Sequence, residues 1–97
     1  MTNGKMNAMT TIYKWTLTPG STDLHMPTGA KVLTVQMQGD QPQLWALVDQ
    51  AQPKEWRTFE IYDTGHPMPT NPGEYVATFQ MDGGALVWHV FEATHAA

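Results

Sequence analysis

Four histidines, at positions 25, 66, 89 and 95, are the residues with which this 97-residue chain could do acid–base or metal chemistry. None has a histidine two or four positions away, and the chain contains no cysteine. The nitrogen and sulfur spacings of zinc sites are therefore missing, and neither metal nor cofactor is expected. Nucleophilic catalysis has no better footing. The one serine, Ser21, follows a Pro-Gly pair, no G-x-S-x-G elbow is present, and no glycine-rich loop leads into a helix to cradle a phosphate. Asp49, Glu60 and Asp63 could meet as paired carboxylates, but solvated surface acids account for them as well. The chain is expected not to be an enzyme.

Binding is better supplied. In Tyr62-Asp63-Thr64-Gly65-His66-Pro67, the proline fixes its own φ and biases His66 toward extended backbone, so Thr64 and His66 ride on a stiff loop. Such rigidity suits a ligand contact, and equally an ordinary crossing loop in which His66 caps a carbonyl. His89 shares a face with Val87 and Phe91, either as a satisfied interior histidine or as a polar point in a pocket. Gln36 and Gln80 can read the edge of a nucleobase or sugar if they face a cleft, and need no role on a solvent face. Arg57, close to Trp56 and Phe59, is the first choice for an anion. The candidate ligand-binding set is thus Gln36, Arg57, Thr64, His66, Gln80 and His89.

Strands must position these side chains. Apolar residues alternate with period 2 from Ile12 onward, and the breaks fall at Gly, Pro and Asn/Asp clusters. The pattern predicts six strands, over 12–17, 31–38, 44–49, 56–62, 74–81 and 86–93. In the first, Tyr13, Trp15 and Leu17 share a face. In the second, Leu33, Val35 and Met37 oppose Val32, Thr34 and Gln36. The third is apolar on both faces, which predicts a central strand covered on both sides. Between the first two, a connection with a few extended residues around Leu24 leads to a turn at Met26-Pro27-Thr28-Gly29. The prolines of 63–73 predict a rigid loop, and Asp82-Gly83-Gly84 a tight hairpin.

The expected fold is all-β, a small antiparallel β-sandwich or barrel of about six strands built from hairpins. The alternative is a two-layer sheet with a short helix within 19–26. Thr34-Val35-Gln36-Met37 before Gly39-Asp40 parallels Thr78-Phe79-Gln80-Met81 before Gly83-Gly84, and an apolar strand follows each, carrying Trp45 or Trp88. A duplicated hairpin would make Gln36 and Gln80 equivalent, although so short a motif also recurs by chance.

A length of 97 residues with 41% apolar and 14% charged content bounds the chain to one globular domain. Residues 11–93 form it, with a disordered start over 1–10 and a frayed end over 94–97. A net charge of −4 with five Lys and Arg argues against binding a nucleic-acid polymer. There is no signal-peptide pattern and no apolar run long enough for a membrane span, which points to the cytoplasm.

Taken in order, Ile12-Tyr13-Lys14-Trp15, Met26-Pro27-Thr28-Gly29-Ala30-Lys31, Val35-Gln36-Met37-Gln38, Leu44-Trp45-Ala46-Leu47-Val48-Asp49, Thr64-Gly65-His66-Pro67, Thr78-Phe79-Gln80 and Val87-Trp88-His89-Val90-Phe91-Glu92 resemble a family of small uncharacterised proteins of tailed bacteriophages and prophages. The resemblance spans about residues 12–92, with Asp63 standing where that family often has glycine. It implies a non-catalytic accessory protein in the host cytoplasm that binds its target stoichiometrically. One form is a homo-oligomer that sequesters a small host-derived ligand such as a nucleotide immune signal, an anti-defence role. The other is a protein–protein interaction or virion-assembly module that uses exposed β edges.

Overall fold

The computed structural model describes residues 9–94. The expected disordered and frayed ends fall largely on 1–8 and 95–97, outside those residues, as does His95. Seven strands form in chain order, β1 (Thr10–Thr16), β2 (Ser21–Pro27), β3 (Lys31–Gln38), β4 (Gln41–Asp49), β5 (Lys54–Asp63), β6 (Glu74–Met81) and β7 (Leu86–Glu92). They make two antiparallel sheets, a three-stranded one in the order β1-β4-β3 and a four-stranded one in the order β2-β5-β7-β6. The all-β expectation holds, with two sheets rather than a closed barrel.

The strand missing from the expectation is β2, which occupies the stretch offered to a short helix. Ser, Asp and Pro mask it, since all three are poor strand formers, yet its burial alternates. Leu24 and Met26 are buried while Ser21, Asp23 and His25 are exposed. Thr28 N donates to Pro53 O and Ile61 N to Gly20 O, in the register that pairs Ser21 with Glu60 and Pro27 with Lys54. The even-numbered residues of β2 therefore turn their peptide groups toward β5, and the odd ones turn theirs away. Pro27 falls on the outward side, where the N–H it lacks would have had no strand partner. Met26 and Pro27 thus belong to the strand and are buried, and the turn is confined to Thr28-Gly29.

The core is one cluster drawn from both sheets, with Met26, Leu44, Ala46, Phe59 and Val90 at 0% exposure. Removing Phe59 to alanine would cost about 3–5 kcal/mol in lost transfer energy and cavity. A second correction concerns β3. Its pairing with β4 shifts register between Val32 and Thr34, and such a bulge sets two residues against one. Val32 joins Val35 and Met37 against the core, while Leu33, expected among them, is 46% exposed. A third concerns β4, which is central in its sheet but covered on one face alone. Leu44, Ala46 and Val48 are buried, whereas Leu47 on the other face is 39% exposed. At 50 × 35 × 19 Å the molecule is a slab, thin enough for each sheet to keep one face on solvent.

The two hairpins repeat. In β3–β4, Thr34 faces Trp45, Val35 faces Leu44, Gln36 faces Gln43 and Met37 faces Pro42. In β6–β7, Thr78 faces His89, Phe79 faces Trp88, Gln80 faces Val87 and Met81 faces Leu86. The sequence spacings are the same, and β6 also has a register shift near its start, between Tyr75 and Ala77. A third strand adds to each at the corresponding place, β1 on β4 and β5 on β7. Gln36 and Gln80 are equivalent, as a duplication requires. The tryptophans are not: Trp45 matches His89 on the outer face, and Trp88 matches Leu44 on the inner one.

Candidate functional site

The repeats meet where β3 runs beside β6. Ala30, Lys31 and Val32 share one groove with Glu74, Tyr75 and Val76, and Thr34–Met37 share the next with Ala77–Gln80. The two strands therefore lie in the same direction, but they belong to different sheets with no ladder between them. The second groove holds about 400 Å³ and collects Thr34, Gln36, Thr78 and Gln80 along its length. Gln36 makes one long hydrogen bond, Nε2 to Thr34 Oγ1 at 3.4 Å, so most of its amide capacity faces solvent. This groove is where two of the six expected residues come together.

Arg57 lines the first groove, of about 310 Å³, and is already engaged. Its Nε donates to Glu92 Oε2 at 2.6 Å and its Nη2 to Glu92 Oε1 at 2.8 Å. Its Nη1 donates to the carbonyl of Ala30 at 2.6 Å. The bond to Glu92 is the largest cause of a raised guanidinium pKa, working against desolvation. The planar fork is filled by a carboxylate of the chain itself, so Arg57 acts as a clasp between β5 and β7 and holds the loop entering β3.

His89 is satisfied on both ring nitrogens. Thr64 Oγ1 donates to the carbonyl of Val87 at 2.9 Å, which leaves that oxygen to accept from His89 Nε2 at 2.7 Å. The Nδ1 atom then accepts from Thr78 Oγ1 at 3.0 Å, and Thr78 Oγ1 accepts from Tyr75 OH at 2.8 Å. One terminal carbonyl orients the whole run and selects the Nε2–H form of the ring. The network ties the loop after β5 to the outer face of β7 and β6.

Thr64 and His66 also line a third hollow, of about 310 Å³, with Asp63, Ala85, Leu86, Val87 and Trp88. His66 Nδ1 lies 3.5 Å from Asp63 Oδ2, and both side chains are well exposed. The indole Nε1 of Trp88 is buried with no hydrogen-bond partner among the described residues. Thr64 and His89 are thus in contact, Thr64 and His66 share a hollow, Gln36 and Gln80 share a groove, and Arg57 stands apart. No single pocket gathers all six.

Residues 9–97 match the family model described as a domain of unknown function, DUF7352. The chain belongs to this family. No curated protein and no solved structure matches the DUF7352 chain, and no helix among its described residues is long and apolar enough to cross a membrane. No three His, Asp or Glu side chains among those residues gather as metal ligands.

What the sequence reading missed in this DUF7352 domain is the outer face of the three-stranded sheet. Ile12 on β1 faces Leu47 on β4, which faces Lys31 on β3. Ile12 is 53% exposed, Leu33 46% and Leu47 39%, with Trp45 partly exposed in the next row. Beyond them Lys14 Nζ reaches over β4 to Gln38 Oε1 at 2.7 Å. Beneath that bridge Gln43, only 6% exposed, accepts from Thr16 Oγ1. The signal was the both-faces apolar pattern of β4.

Proposed function

We propose that this domain is a non-catalytic protein–protein interaction module whose contact surface is the outer face of the three-stranded sheet. The observation that carries the reading is the stripe Ile12, Leu33 and Leu47, three large aliphatic side chains held in the open on ordered strands. Clustered exposed apolar groups on a flat sheet face, with no cleft to enclose a small molecule, are a mark of protein partner sites. Lys14 and Lys31 flank the stripe, so it fits a protein surface that is apolar at its centre and acidic at its rim. The resemblance to small phage proteins directs the search to host or virion proteins in the cytoplasm of an infected cell. The groups best suited to a small anion or to catalysis are engaged internally, Arg57 with Glu92 and His89 with two threonines.

A second reading has its own observation. The 400 Å³ groove brings the repeat-equivalent amides of Gln36 and Gln80 to one place, which suits a small polar ligand that offers hydrogen-bonding edges to both amides, such as a nucleotide signal. One experiment separates the two. Tagged wild type and the variants Leu33→Asp and Leu47→Asp, each shown to be folded by circular dichroism, are recovered from cells and weighed by native mass spectrometry. The interaction reading requires a stoichiometric protein partner on wild type that both variants lose. A small molecule retained by all three, with no protein partner, overturns it in favour of the groove.

A further inference from the structure

We propose that β1 is a pairing edge, and that its partner is β1 of a second copy of this chain, joined antiparallel so that two three-stranded sheets become one. This rests on the reading of the first sheet as a contact surface, and adds a second contact, with a copy of the chain, along that sheet's edge.

The peptide groups show which way the edge faces. Leu17 N donates to Pro42 O and Gln50 N to Met9 O, in the register that pairs Thr10 with Asp49 and Thr16 with Gln43. The odd-numbered residues of β1 therefore bond to β4, and Thr10, Ile12, Lys14 and Thr16 turn N–H and C=O away from the sheet. The other outermost strand, β2, is blunted by Pro27 on its outward side, while the Asp23 carboxylate accepts from Thr58 Oγ1 of β5 at 2.6 Å. Proline without a donor is one of the usual protections of a sheet edge. On β1 the corresponding positions carry two threonines, an isoleucine and Lys14, whose ammonium is turned back over the sheet to Gln38.

The internal repeat shows what such an edge receives. In the second repeat β5 stands where β1 stands in the first, and the far side of β5 is filled by β2 as an antiparallel strand. Among the described residues no strand lies on the same side of β1. The described residues supply a strand to one repeat and none to the other.

The segment is complementary to itself. Antiparallel pairing that overlaps Thr10–Thr16 over its full length sets Thr10 against Thr16 and Ile12 against Lys14, with Tyr13 facing its own copy on the two-fold axis. All four outward residues then form hydrogen-bonded pairs. No lysine meets a lysine, and the strand has no acidic residue, so two chains of net charge −4 meet along a segment free of negative charge. Ile12 of each copy extends the other's apolar stripe across the junction.

Sedimentation equilibrium from about 1 to 200 µM, with hydrogen exchange read amide by amide, tests this. Wild type should dimerise, with the Thr10, Ile12, Lys14 and Thr16 amides protected although they point away from β4. Ile12→Lys places an ammonium opposite Lys14 of the partner subunit and should weaken association about tenfold or more. Adding Lys14→Glu to Ile12→Lys should restore it to within a few-fold. A monomer across the range, a dimer in which those four amides exchange freely, or a failure of the charge pair to rescue overturns the proposal. Loss of a captured partner on Leu47→Asp would still stand in each of these cases, so the interaction reading fails or survives separately.

Discussion

The clasp between Arg57 and Glu92 can be tested by a double-mutant cycle built from Arg57→Met, Glu92→Gln and the pair together. Both side chains are mostly out of solvent, 18% and 20% exposed, so the pair sits between an exposed ion pair of about 0–1 kcal/mol and a buried one whose rupture costs about 3–5 kcal/mol. Two short charged hydrogen bonds, each worth about 1.5–3 kcal/mol when dry and less at this exposure, give a coupling of about 1.5–2.5 kcal/mol. Arg57→Met also leaves the Ala30 carbonyl without its donor, so the single variant should lose about 2–4 kcal/mol while keeping the stem against Phe59, whose ring lies 5.8 Å from the guanidinium carbon. For a domain of this size that is a fall in Tm of roughly 10–25 °C. Urea unfolding of the four proteins gives the coupling directly. The Arg57 pKa is raised, chiefly by Glu92, so its contribution is fully present below the ordinary guanidinium range and is lost only above it. The coupling should therefore hold steady from about pH 6 to pH 9. A coupling below about 0.5 kcal/mol would refute the clasp. So would stabilisation of wild type by inorganic phosphate that Arg57→Met abolishes, since that would show the guanidinium free to take an anion.

Other expectations follow from single contacts. Gly73 has φ +98, and a Cβ there would overlap the Glu92 carbonyl oxygen. Gly73→Ala should cost several kcal/mol, seen as loss of the folded signal in circular dichroism, and a variant of wild-type stability would show that the close approach of the loop to β7 is wrong. Nitrogen NMR of His89 should find the proton on Nε2, and Thr78→Val should cost about 1 kcal/mol in urea unfolding; a ring protonated on Nδ1 would reverse the hydrogen-bond run. The Tyr62 pKa is raised, first by burial and then by the charge of Glu60. Its raised folded value means that stability is kept below the ordinary tyrosine range and falls as pH climbs through it. Tyr62→Phe should flatten that decline in a melting series, and an unchanged slope would assign it elsewhere.

Period-2 alternation was enough to read six of the strands, because inward residues such as Phe59, Ile61 and Phe79 alternate with polar ones over several positions. It failed where another constraint outweighed propensity. In β2, Pro27 and Asp23 look like loop residues until their outward peptide groups are located, and only the pairing with β5 reveals that. In β3, one extra residue at the bulge exchanges Leu33 for Val32, and periodicity cannot see an insertion that leaves both neighbours apolar. Among the site candidates, pairing of Gln36 with Gln80 was legible because the Thr-x-Gln-Met motif sits at the same distance before each turn. The engagement of Arg57 was not, since Glu92 is distant in sequence and nothing local marks it as the partner.

The repeats keep one backbone register and differ in what covers their outer faces. Phe91, which takes the place of Leu47, packs edge-on against Tyr62 and Tyr75, with ring centroids 5.9 and 5.6 Å away. His89, in the place of Trp45, is tied down by Thr64 and Thr78. The second repeat thus packs rings and the loop after β5 over the middle of its outer face, while Tyr75 and Trp56 stay 60% and 64% exposed at its margins. The first has no such loop, because the chain between β1 and β3 is β2, which crosses to the other sheet. Ile12, Leu33 and Leu47 are left uncovered by the same step of topology that leaves the edge of β1 with no strand partner among the described residues. An apolar stripe and a strand edge without a described partner lie side by side, both produced by lending one strand to the neighbouring repeat, and this favours the proposed contact surface on the first sheet over the grooves between the two.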